Sequence, residues 1–440
     1  MRGAGGQFIT LLLNSIPYQR YNSALEKGQN MTELSIKARK ITLTLFLAQS
    51  LFSAGFIAAA TVSSILAASL GGNRWAGLPA AVQLLGSAVA ASIWGVFMEK
   101  FGRRHGITFG LLLGITGSAL VVIAANQRIF LAMLGGMALM GFASAAMLLG
   151  RFAAAEVNPP MKRGAAISNV VLGGTFGAIF GPLLVAPMGN FARSIGMNEL
   201  AGGYLAGIIF SGLAAAVIFA GLRPDPLALG KEVAALYPAS TPEGEARPIS
   251  VIFRQPAALT AVTAMVIGQV VMVAIMVITS LHMKHNDHSL GGISTVISAH
   301  VLGMYAFSVI SGRLADKWGR GPVILTGAIT LVIACVTAPL SPKLLPLSLS
   351  LFLLGLGWNF CFVGGSTLLA DQLSSVERAR TQGINDSLIG LASAAGSLGS
   401  GLVYAATSYT FIALLGGAVA LLPIGMVLAW MRKEKAPVGA

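Results

Sequence analysis

The stretch SGRLADKWGRGP (Ser311–Pro322) lies between two long apolar segments and combines one acid, several bases and three glycines. An earlier stretch, WGVFMEKFGRRHG (Trp94–Gly106), repeats this pattern at a constant offset of 217 residues. The matching residues are Gly95, Glu99, Lys100, Gly102 and Arg103, which recur as Gly312, Asp316, Lys317, Gly319 and Arg320. Several matches at one offset indicate an internal duplication of the chain.

The composition of the chain is that of a membrane protein. Of its 440 residues, 55% are hydrophobic and 10% are charged, and the mean hydropathy is +0.79, whereas water-soluble domains carry about 25% charged residues. A membrane-spanning helix needs about 20 mostly apolar residues. Windows of this length without Asp, Glu, Lys or Arg are 41–73, 75–98, 105–127, 129–150, 164–192, 200–222, 255–283, 288–312, 321–342 and 344–370. A further window, 387–431, is long enough for two helices, so the sequence predicts an all-α integral membrane protein with twelve transmembrane helices, numbered span 1 to span 12.

The windows fall into two sets of six, which we expect to form two six-helix bundles related by pseudo-two-fold symmetry. The repeat extends to spans 5 and 11, where Arg163 and Ile167 recur as Arg380 and Ile384. Residues 7–18 resemble the core of a signal peptide but lack a small-residue cleavage site, which favours an interfacial helix. The predicted segments are a cytoplasmic N-terminal segment 1–40, a first bundle 41–222, a cytoplasmic linker 223–254, a second bundle 255–431 and a cytoplasmic tail 432–440.

The net charge of +14 does not indicate a nucleic-acid partner, because the bases form no single patch interleaved with aromatic residues. They sort by side of the membrane instead. If the N-terminus is inside, 24 Lys and Arg lie on the inner side and five on the outer side. The positive-inside rule therefore predicts that both termini are cytoplasmic, and we expect a multi-pass protein of a bacterial inner membrane.

Twelve spans in two sets of six, a central linker and the loop pattern Gly312–Arg320 resemble the Major Facilitator Superfamily. The resemblance covers residues 41 to 431 and implies a secondary transporter that works by alternating access. The first-half copy departs from the family pattern, since Glu99 stands where the family usually has Asp and Met98 replaces a small residue. No phosphate-binding glycine loop and no convincing nucleophile and base pair occur in the sequence, so we expect no enzyme and no cofactor.

The two copies of the motif suggest a conformational latch. Spans 5 and 11 enter from the side where Glu99 and Asp316 leave spans 2 and 8, and a helix start carries unpaired N–H groups and partial positive charge. Each acid could therefore hold a helix of the other half and release it when the halves rock. A basic loop that only sets orientation is the alternative. The predicted latch residues are Gly95, Glu99, Gly102, Arg103, Arg104, Gly312, Arg313, Asp316, Gly319 and Arg320.

A glycine series in span 5, with Gly173, Gly177, Gly181 and Pro182, allows close helix packing and a bend. It resembles the motif of antiporters in the superfamily, although Val185 and Ala186 occupy the places of two usual glycines. The resemblance favours export over import, as in the drug:proton antiporters. Generic glycine packing is the alternative.

Proton coupling needs a titratable group, and family exporters often carry an arginine in span 4 where this chain has Met137. Coupling is therefore predicted at Asp386, since an intramembrane charge is costly and usually functional, or at His300, which can titrate near neutral pH. A satisfied structural acid and a hydrogen-bonded core histidine are the alternatives.

The substrate is the least determined feature. The scarcity of intramembrane charge argues against a strongly charged substrate, and a line of methionines on span 7 suits an adaptable apolar pocket. The predicted cavity residues are Gln49, Gln83, Asn169, Gln269, Met272, Met276 and Asn359, with core packing as the alternative. His282, His285 and His288 could bind a metal, although solvated loop histidines are the simpler interpretation.

We therefore expect a monomeric transporter in the lipid bilayer that exports a hydrophobic or amphipathic small molecule in exchange for protons. The alternatives are a transporter of a metal ion or metal complex, a uniporter or importer of a small organic solute, and a membrane sensor that does not transport.

Overall fold

The computed structural model describes residues 18–237 and 246–435, and these ranges contain helices and no β-strand. They include twelve helical segments long and apolar enough to cross a membrane, which confirms the predicted fold class. The spans are Thr32–Gly71, Asn73–Phe101, Arg103–Gln127, Phe130–Glu156, Arg163–Ser194, Ala201–Gly221, Pro256–His285, Leu290–Trp318, Arg320–Leu340, Leu344–Asp371, Arg380–Ala406 and Tyr409–Lys433. The interfacial helix predicted at 7–18 lies outside the described residues, except for Tyr18, where the first helix begins.

Most spans are single helices, and some helices extend beyond their span. The extended helices are Tyr18–Gly71, Ser375–Ala406 and Tyr409–Lys435. Span 2 starts with the 3-10 turn Asn73–Trp75 before helix Leu78–Phe101, and span 9 ends with the 3-10 turn Ala338–Leu340 after helix Arg320–Thr337. A further 3-10 turn, Pro160–Lys162, precedes span 5.

Two spans are interrupted in their middle. Span 5 consists of helix Arg163–Phe180, the 3-10 turn Gly181–Leu184 and helix Val185–Ser194. Pro182 lies in that turn, where its ring removes a backbone hydrogen-bond donor. Span 8 consists of helices Leu290–Tyr305 and Ser308–Trp318.

Each bundle has a buried core, and the linker contributes to both. Leu45, Leu111 and Ile218 are fully buried in the first bundle, and Ile324 and Val427 in the second. Because lipid is as apolar as these side chains, helix association depends on close packing and on hydrogen bonds between helices.

The linker is partly helical. A helix at Pro226–Leu236, which we call the linker helix, buries Leu229 and Val233 against the first bundle. A short helix, Ile249–Arg254, buries Ile252 against the second bundle. The linker therefore packs on both halves of the molecule.

Each bundle has six spans, an even number, so the first and last residues of both bundles lie on one side of the molecule. We call this side the basic face; it carries the linker and the span junctions at Gly102 and Gly319. The other side, which we call the opposite face, carries the turns before Leu78 and before Leu290. The positive-inside rule predicts that the basic face is cytoplasmic.

The two halves touch at the opposite face. Span 11 meets the start of span 2, where the Ser397 hydroxyl donates a hydrogen bond of 2.8 Å to the backbone oxygen of Gly77. Span 5 meets the start of span 8, where Ala186 faces Gly291. At the basic-face ends of spans 2 and 11, a Cβ at Gly95 or Gly383 would lie in open space. Among the described residues, the Ser397 bond is the one side-chain hydrogen bond between the bundles, and no ion pair joins the bundles at the basic face. We therefore interpret the space between the halves as open to the basic face.

Candidate functional site

The two motif copies adopt the same backbone geometry. Gly102 joins spans 2 and 3 with φ +89°, and Gly319 joins spans 8 and 9 with φ +94°. Other residues rarely adopt this left-handed region, so glycine is needed at both junctions. The duplication seen in the sequence is therefore repeated in three dimensions.

The motif arginines bind acids of their own half. Arg103 forms a bidentate pair with Glu156 at the end of span 4, with N–O distances of 2.6 and 3.1 Å. Arg320 pairs with Asp371 at the end of span 10, at 2.8 Å. Glu156 and Asp371 were not predicted from the sequence, although Asp371 directly follows the window 344–370 and Glu156 lies six residues after the window 129–150. These pairs fix each motif loop to the neighbouring span.

The predicted latch acids do not reach the other half in this conformation. Glu99 is exposed at the end of span 2. Asp316 is also exposed and accepts a hydrogen bond of 3.2 Å from Arg320, one helical turn away. A structure open at the basic face is the state in which a latch at that face is released. The latch therefore stays a prediction about the other state, and Arg313 is exposed beside it.

An unpredicted acid, Asp225, fixes the first motif loop from the linker. Its carboxylate accepts hydrogen bonds from the backbone N–H groups of Arg103 and Arg104, at 3.1 and 3.0 Å, and from Leu227 at 2.9 Å. One side chain thus caps span 3 and the linker helix together. The Arg104 guanidinium donates to the Phe219 oxygen of span 6 at 2.9 Å.

A second linker contact lies where the helix of span 11 begins. Arg247 donates to both carboxylate oxygens of Glu377, at 2.7 and 2.8 Å, and to the Gln372 oxygen at 2.7 Å. The Glu377 side chain is buried and also accepts from the Ser374 N–H at 3.0 Å. The Arg247 guanidinium and these backbone donors hold the pKa of the Glu377 carboxyl well below its usual range. Glu377 was missed because its partner lies 130 residues away.

The glycine series of span 5 packs directly on span 1. A Cβ at Gly173 or Gly177 would collide with the Phe46 or Ser50 backbone oxygen, and one at Gly181 would lie 2.7 Å from the Ala54 oxygen. Pro182 then begins the interruption of span 5. The series gives span 5 a close backbone contact and a bend, and its antiporter role stays a prediction.

Asp386 of span 11 lies within electrostatic range of a charge of the other half, without a direct ion pair among the described residues. Its carboxylate is exposed and interacts electrostatically with the half-buried Arg151 of span 4. The Arg151 Nε has no hydrogen-bond partner among the described residues. Arg151 was not predicted, although it directly follows the charge-free window 129–150 and so marks the end of span 4.

His300 is enclosed between spans 8 and 10. It is fully buried, and its Nδ1 lies 2.9 Å from the Leu351 backbone oxygen of span 10. Its Nε2 has no partner among the described residues. This placement brings His300 and Asp386 to different parts of the second bundle.

Gln269 is part of an aromatic cluster in the second bundle. The Trp358 indole N–H donates a hydrogen bond of 2.6 Å to the Gln269 oxygen, which joins spans 10 and 7. Trp358 stacks on Phe362 with ring centres 5.0 Å apart, and Tyr305 of span 8 meets Trp358 edge-on at 6.3 Å. Flat rings and one amide thus lie together where spans 7, 8 and 10 meet.

Asn359 fastens the interruption of span 8. It is buried, donates to the Met304 oxygen at 2.7 Å and to the Ser308 hydroxyl at 2.9 Å, and accepts from the Ser311 hydroxyl at 2.6 Å. It thus contacts both helices of span 8. All of its bonds in the described residues are helix-to-helix contacts.

The other predicted cavity residues are dispersed. Gln83 is buried in the first bundle with its Nε2 unpaired among the described residues, and Met272 is buried in the core. Met276 is half-buried, Gln49 lies against Gly174, and Asn169 is exposed on span 5. They do not form one site in this conformation.

The histidines at the opposite face have separate partners. His282 stacks on Tyr409 at 4.2 Å, His285 Nδ1 lies 2.9 Å from the Tyr404 hydroxyl, and His288 Nε2 lies 2.7 Å from the Pro342 oxygen. Within residues 18–237 and 246–435, no group of three metal-ligating side chains could hold an ion.

Comparisons with known proteins agree with this architecture. The family model of the Major Facilitator Superfamily matches residues 45–287 and 268–440. The uncharacterized MFS-type transporter YdeG of Bacillus subtilis is 36% identical over 417 residues, which cover 94% of this chain and 95% of YdeG. The riboflavin transporter RfnT of Brucella anthropi is 28% identical over 352 residues, covering 80% of this chain and 85% of RfnT.

The crystal structure of the nucleoside transporter NupG has the same fold, with a TM-score of 0.67, 15% sequence identity and coverage of 91% of this chain and 100% of NupG. A duplicated two-bundle architecture, matching motif loops and relatives along nearly the whole length lead to one conclusion. The chain belongs to the Major Facilitator Superfamily and is an integral membrane transporter that works by alternating access.

Proposed function

We propose that the protein exports a hydrophobic or amphipathic organic molecule in exchange for protons, across a bacterial inner membrane with its basic face in the cytoplasm. The observation that carries this proposal is the relationship between Arg151 and Asp386, opposite charges on different halves near the basic face. The antiporter-type series at Gly177 and Pro182 supports the direction.

The charge pair provides a coupling mechanism. When Asp386 is ionised, its attraction to Arg151 favours closure of the basic face and hence the state open to the opposite face. When Asp386 takes up a proton in the state open to the opposite face, its attraction to Arg151 is lost and the basic face can open again. Proton release to the basic face then restores the carboxylate. If substrate occupies the pathway when Asp386 is ionised, one cycle exchanges protons for substrate.

The cluster of Gln269, Trp358, Phe362 and Tyr305 supports an organic substrate. Aromatic side chains offer large apolar surfaces with defined stacking geometry, and the Gln269 amide adds one polar group. The same cluster favours a second candidate, movement of a flat aromatic solute in either direction, since the relative RfnT is named a riboflavin transporter.

The experiment is proton flux in proteoliposomes that carry a pH-sensitive dye, under an imposed pH gradient. Lipophilic cations, neutral drugs, riboflavin and divalent metals are added in turn. We expect an organic compound to trigger proton movement, and Asp386→Asn to abolish that movement. The matched control is Asp287→Asn, an exposed acid at the opposite face in a left-handed conformation that Asn tolerates.

Each other result selects an alternative. Full proton-linked flux in Asp386→Asn would place coupling elsewhere. Flux of a labelled compound without protons would indicate a uniporter or another coupling ion. A response to metals that is lost on replacing His282, His285 and His288 would favour metal transport, and ligand binding without flux would favour a sensor.

A further inference from the structure

We infer that the first bundle holds an anionic phospholipid in a cavity at the basic face. The cavity has a volume of about 930 Å³ and lies between spans 1 and 5, with the linker helix on its third side. All of its lining residues belong to the first bundle, the loop between spans 4 and 5, or the linker helix with the adjacent Tyr237. Asn169 of span 5, one of the predicted cavity residues, also lines it.

The charge of the cavity selects an anion. Arg39 at the start of span 1 and Lys162 just before span 5 both line it and are exposed. No carboxylate is among its described lining residues. The acid nearest in sequence on span 1, Glu33, is paired with Lys37 at 2.7 Å. Glu232 of the linker helix, next to the lining residue Val233, also interacts with Lys37. The two lining cations, Arg39 and Lys162, complement the phosphate of an anionic headgroup.

The depth of the cavity selects an amphiphile. Phe46 lies two helical turns beyond Arg39, about 10 Å deeper at a rise of about 1.5 Å per residue. Leu43, Ala166 and Val233 extend this apolar lining. A basic rim above an apolar floor fits a phosphate with an attached acyl chain.

The basic rim is not required by the duplicated fold. Arg163 recurs as Arg380 at the offset of 217 residues, whereas the neighbouring Lys162 is replaced by Ala379. In the repeat the second cation is Arg378, at the position that answers Met161, so the register of the cation at Lys162 is not duplicated. Two lining residues of the cavity are also held together by a hydrogen bond, since the Asn158 amide donates to the Thr42 hydroxyl at 3.3 Å. The same amide donates to the Ala154 oxygen at 2.7 Å.

The test is native mass spectrometry of the full chain in detergent, titrated with phosphatidylglycerol or with phosphatidylcholine of the same acyl chains. We expect tighter binding of phosphatidylglycerol. The double variant Arg39→Gln with Lys162→Gln should bind phosphatidylglycerol about thirtyfold more weakly, because it loses the attraction of two cations to the anionic headgroup. Ala165→Trp, which fills the cavity from an exposed lining position, should abolish the binding with both cations present. Arg254→Gln, an exposed cation near the start of span 7, is the control and should bind as wild type.

The assay needs no transport, so its result is independent of the proposed function. Equal binding of the two lipids, or wild-type binding by Ala165→Trp, would overturn the proposal, because either result would leave only attraction to surface charge. Full displacement by an equal excess of inorganic phosphate would also overturn it, since the acyl chain would then contribute nothing.

Discussion

The Ser397 hydroxyl of span 11 donates a hydrogen bond of 2.8 Å to the backbone oxygen of Gly77, which joins the two halves at the opposite face. Gly401, one helical turn further, approaches the Arg74 and Gly77 backbones as well. At the basic face no ion pair joins the two bundles among the described residues. Alternating access requires this contact to open when the basic face closes.

The first prediction concerns this contact. Ser397→Ala removes one hydrogen bond, worth about 1 kcal/mol, so the ratio of basic-face-open to basic-face-closed molecules should fall about fivefold. The measurement is the distribution of distances between spin labels at Glu232→Cys and Arg254→Cys, exposed positions at the basic face on opposite halves. The control is Ser387→Ala, whose exposed hydroxyl bonds within its own helix to Gly383. An unchanged distribution in Ser397→Ala would show that the hydrogen bond does not bias the equilibrium.

The second prediction concerns the latch acids. Glu99→Gln with Asp316→Asn should raise the population with the long distance between the same labels, because the basic face loses attractions that hold it closed. Lys100→Gln with Lys317→Gln is the matched control, since these lysines recur at the same offset and neighbour the acids. If the acid variant has the wild-type distribution and the wild-type transport rate, there is no latch at these acids.

The third prediction concerns the interruption of span 8. Asn359→Leu keeps a similar side-chain size but leaves the Met304 oxygen and the Ser308 hydroxyl without this partner. The Ser311 hydroxyl can still donate to a backbone oxygen of its own helix region. Each buried polar group left unpaired costs about 1–3 kcal/mol, so the free energy of unfolding should fall by at least about 2 kcal/mol. Thermal unfolding in detergent measures the change, with Asn286→Leu as the exposed control. Equal unfolding temperatures in the two variants would mean that Asn359 does not support the interruption.

The fourth prediction concerns pH and the Arg247–Glu377 pair. Because the folded-state pKa of Glu377 is lowered, the pair stabilises the protein above the pKa of an unfolded carboxyl, about 4.3, and loses this contribution as pH falls toward the folded-state value. Wild type should therefore unfold at a higher temperature than Glu377→Gln at pH 7. The difference should stay constant down to about pH 5 and shrink below about pH 4.3. A difference that grows on acidification would contradict the assignment.

The fold followed from the sequence because ten spans coincide with separate charge-free windows, the last two share one long window, and two motif copies share one offset. The break in span 5 followed from Pro182, whose effect on the backbone is local. The break in span 8 has no proline, and its stabilising residue, Asn359, lies on another span. That contact depends on tertiary packing, so a single sequence could not indicate it.

The candidate site was predicted less completely than the fold. Sequence periodicity places Met272 and Met276 on one line of span 7, but it does not say which line faces the core, and Met272 is buried there. Asp386 stood out as an acid within a span, whereas its partner Arg151 looked like the end of an apolar window. Asp225 was not predicted either, because its contacts with span 3 form only when the linker folds back onto that span.

The central claim is that contact between the halves at the opposite face must open during transport, and a reversible disulfide tests it most directly. A Cβ at Gly291 would lie 3.9 Å from the Ala186 Cβ, within the range of disulfides, and the native Cys335 and Cys361 are buried. In Ala186→Cys with Gly291→Cys, oxidation should stop transport in proteoliposomes, with the spin-label distance fixed at its long value, and a reductant should restore both. Wild-type transport by fully oxidised protein would contradict the account, because it would mean that the halves need not separate at the opposite face.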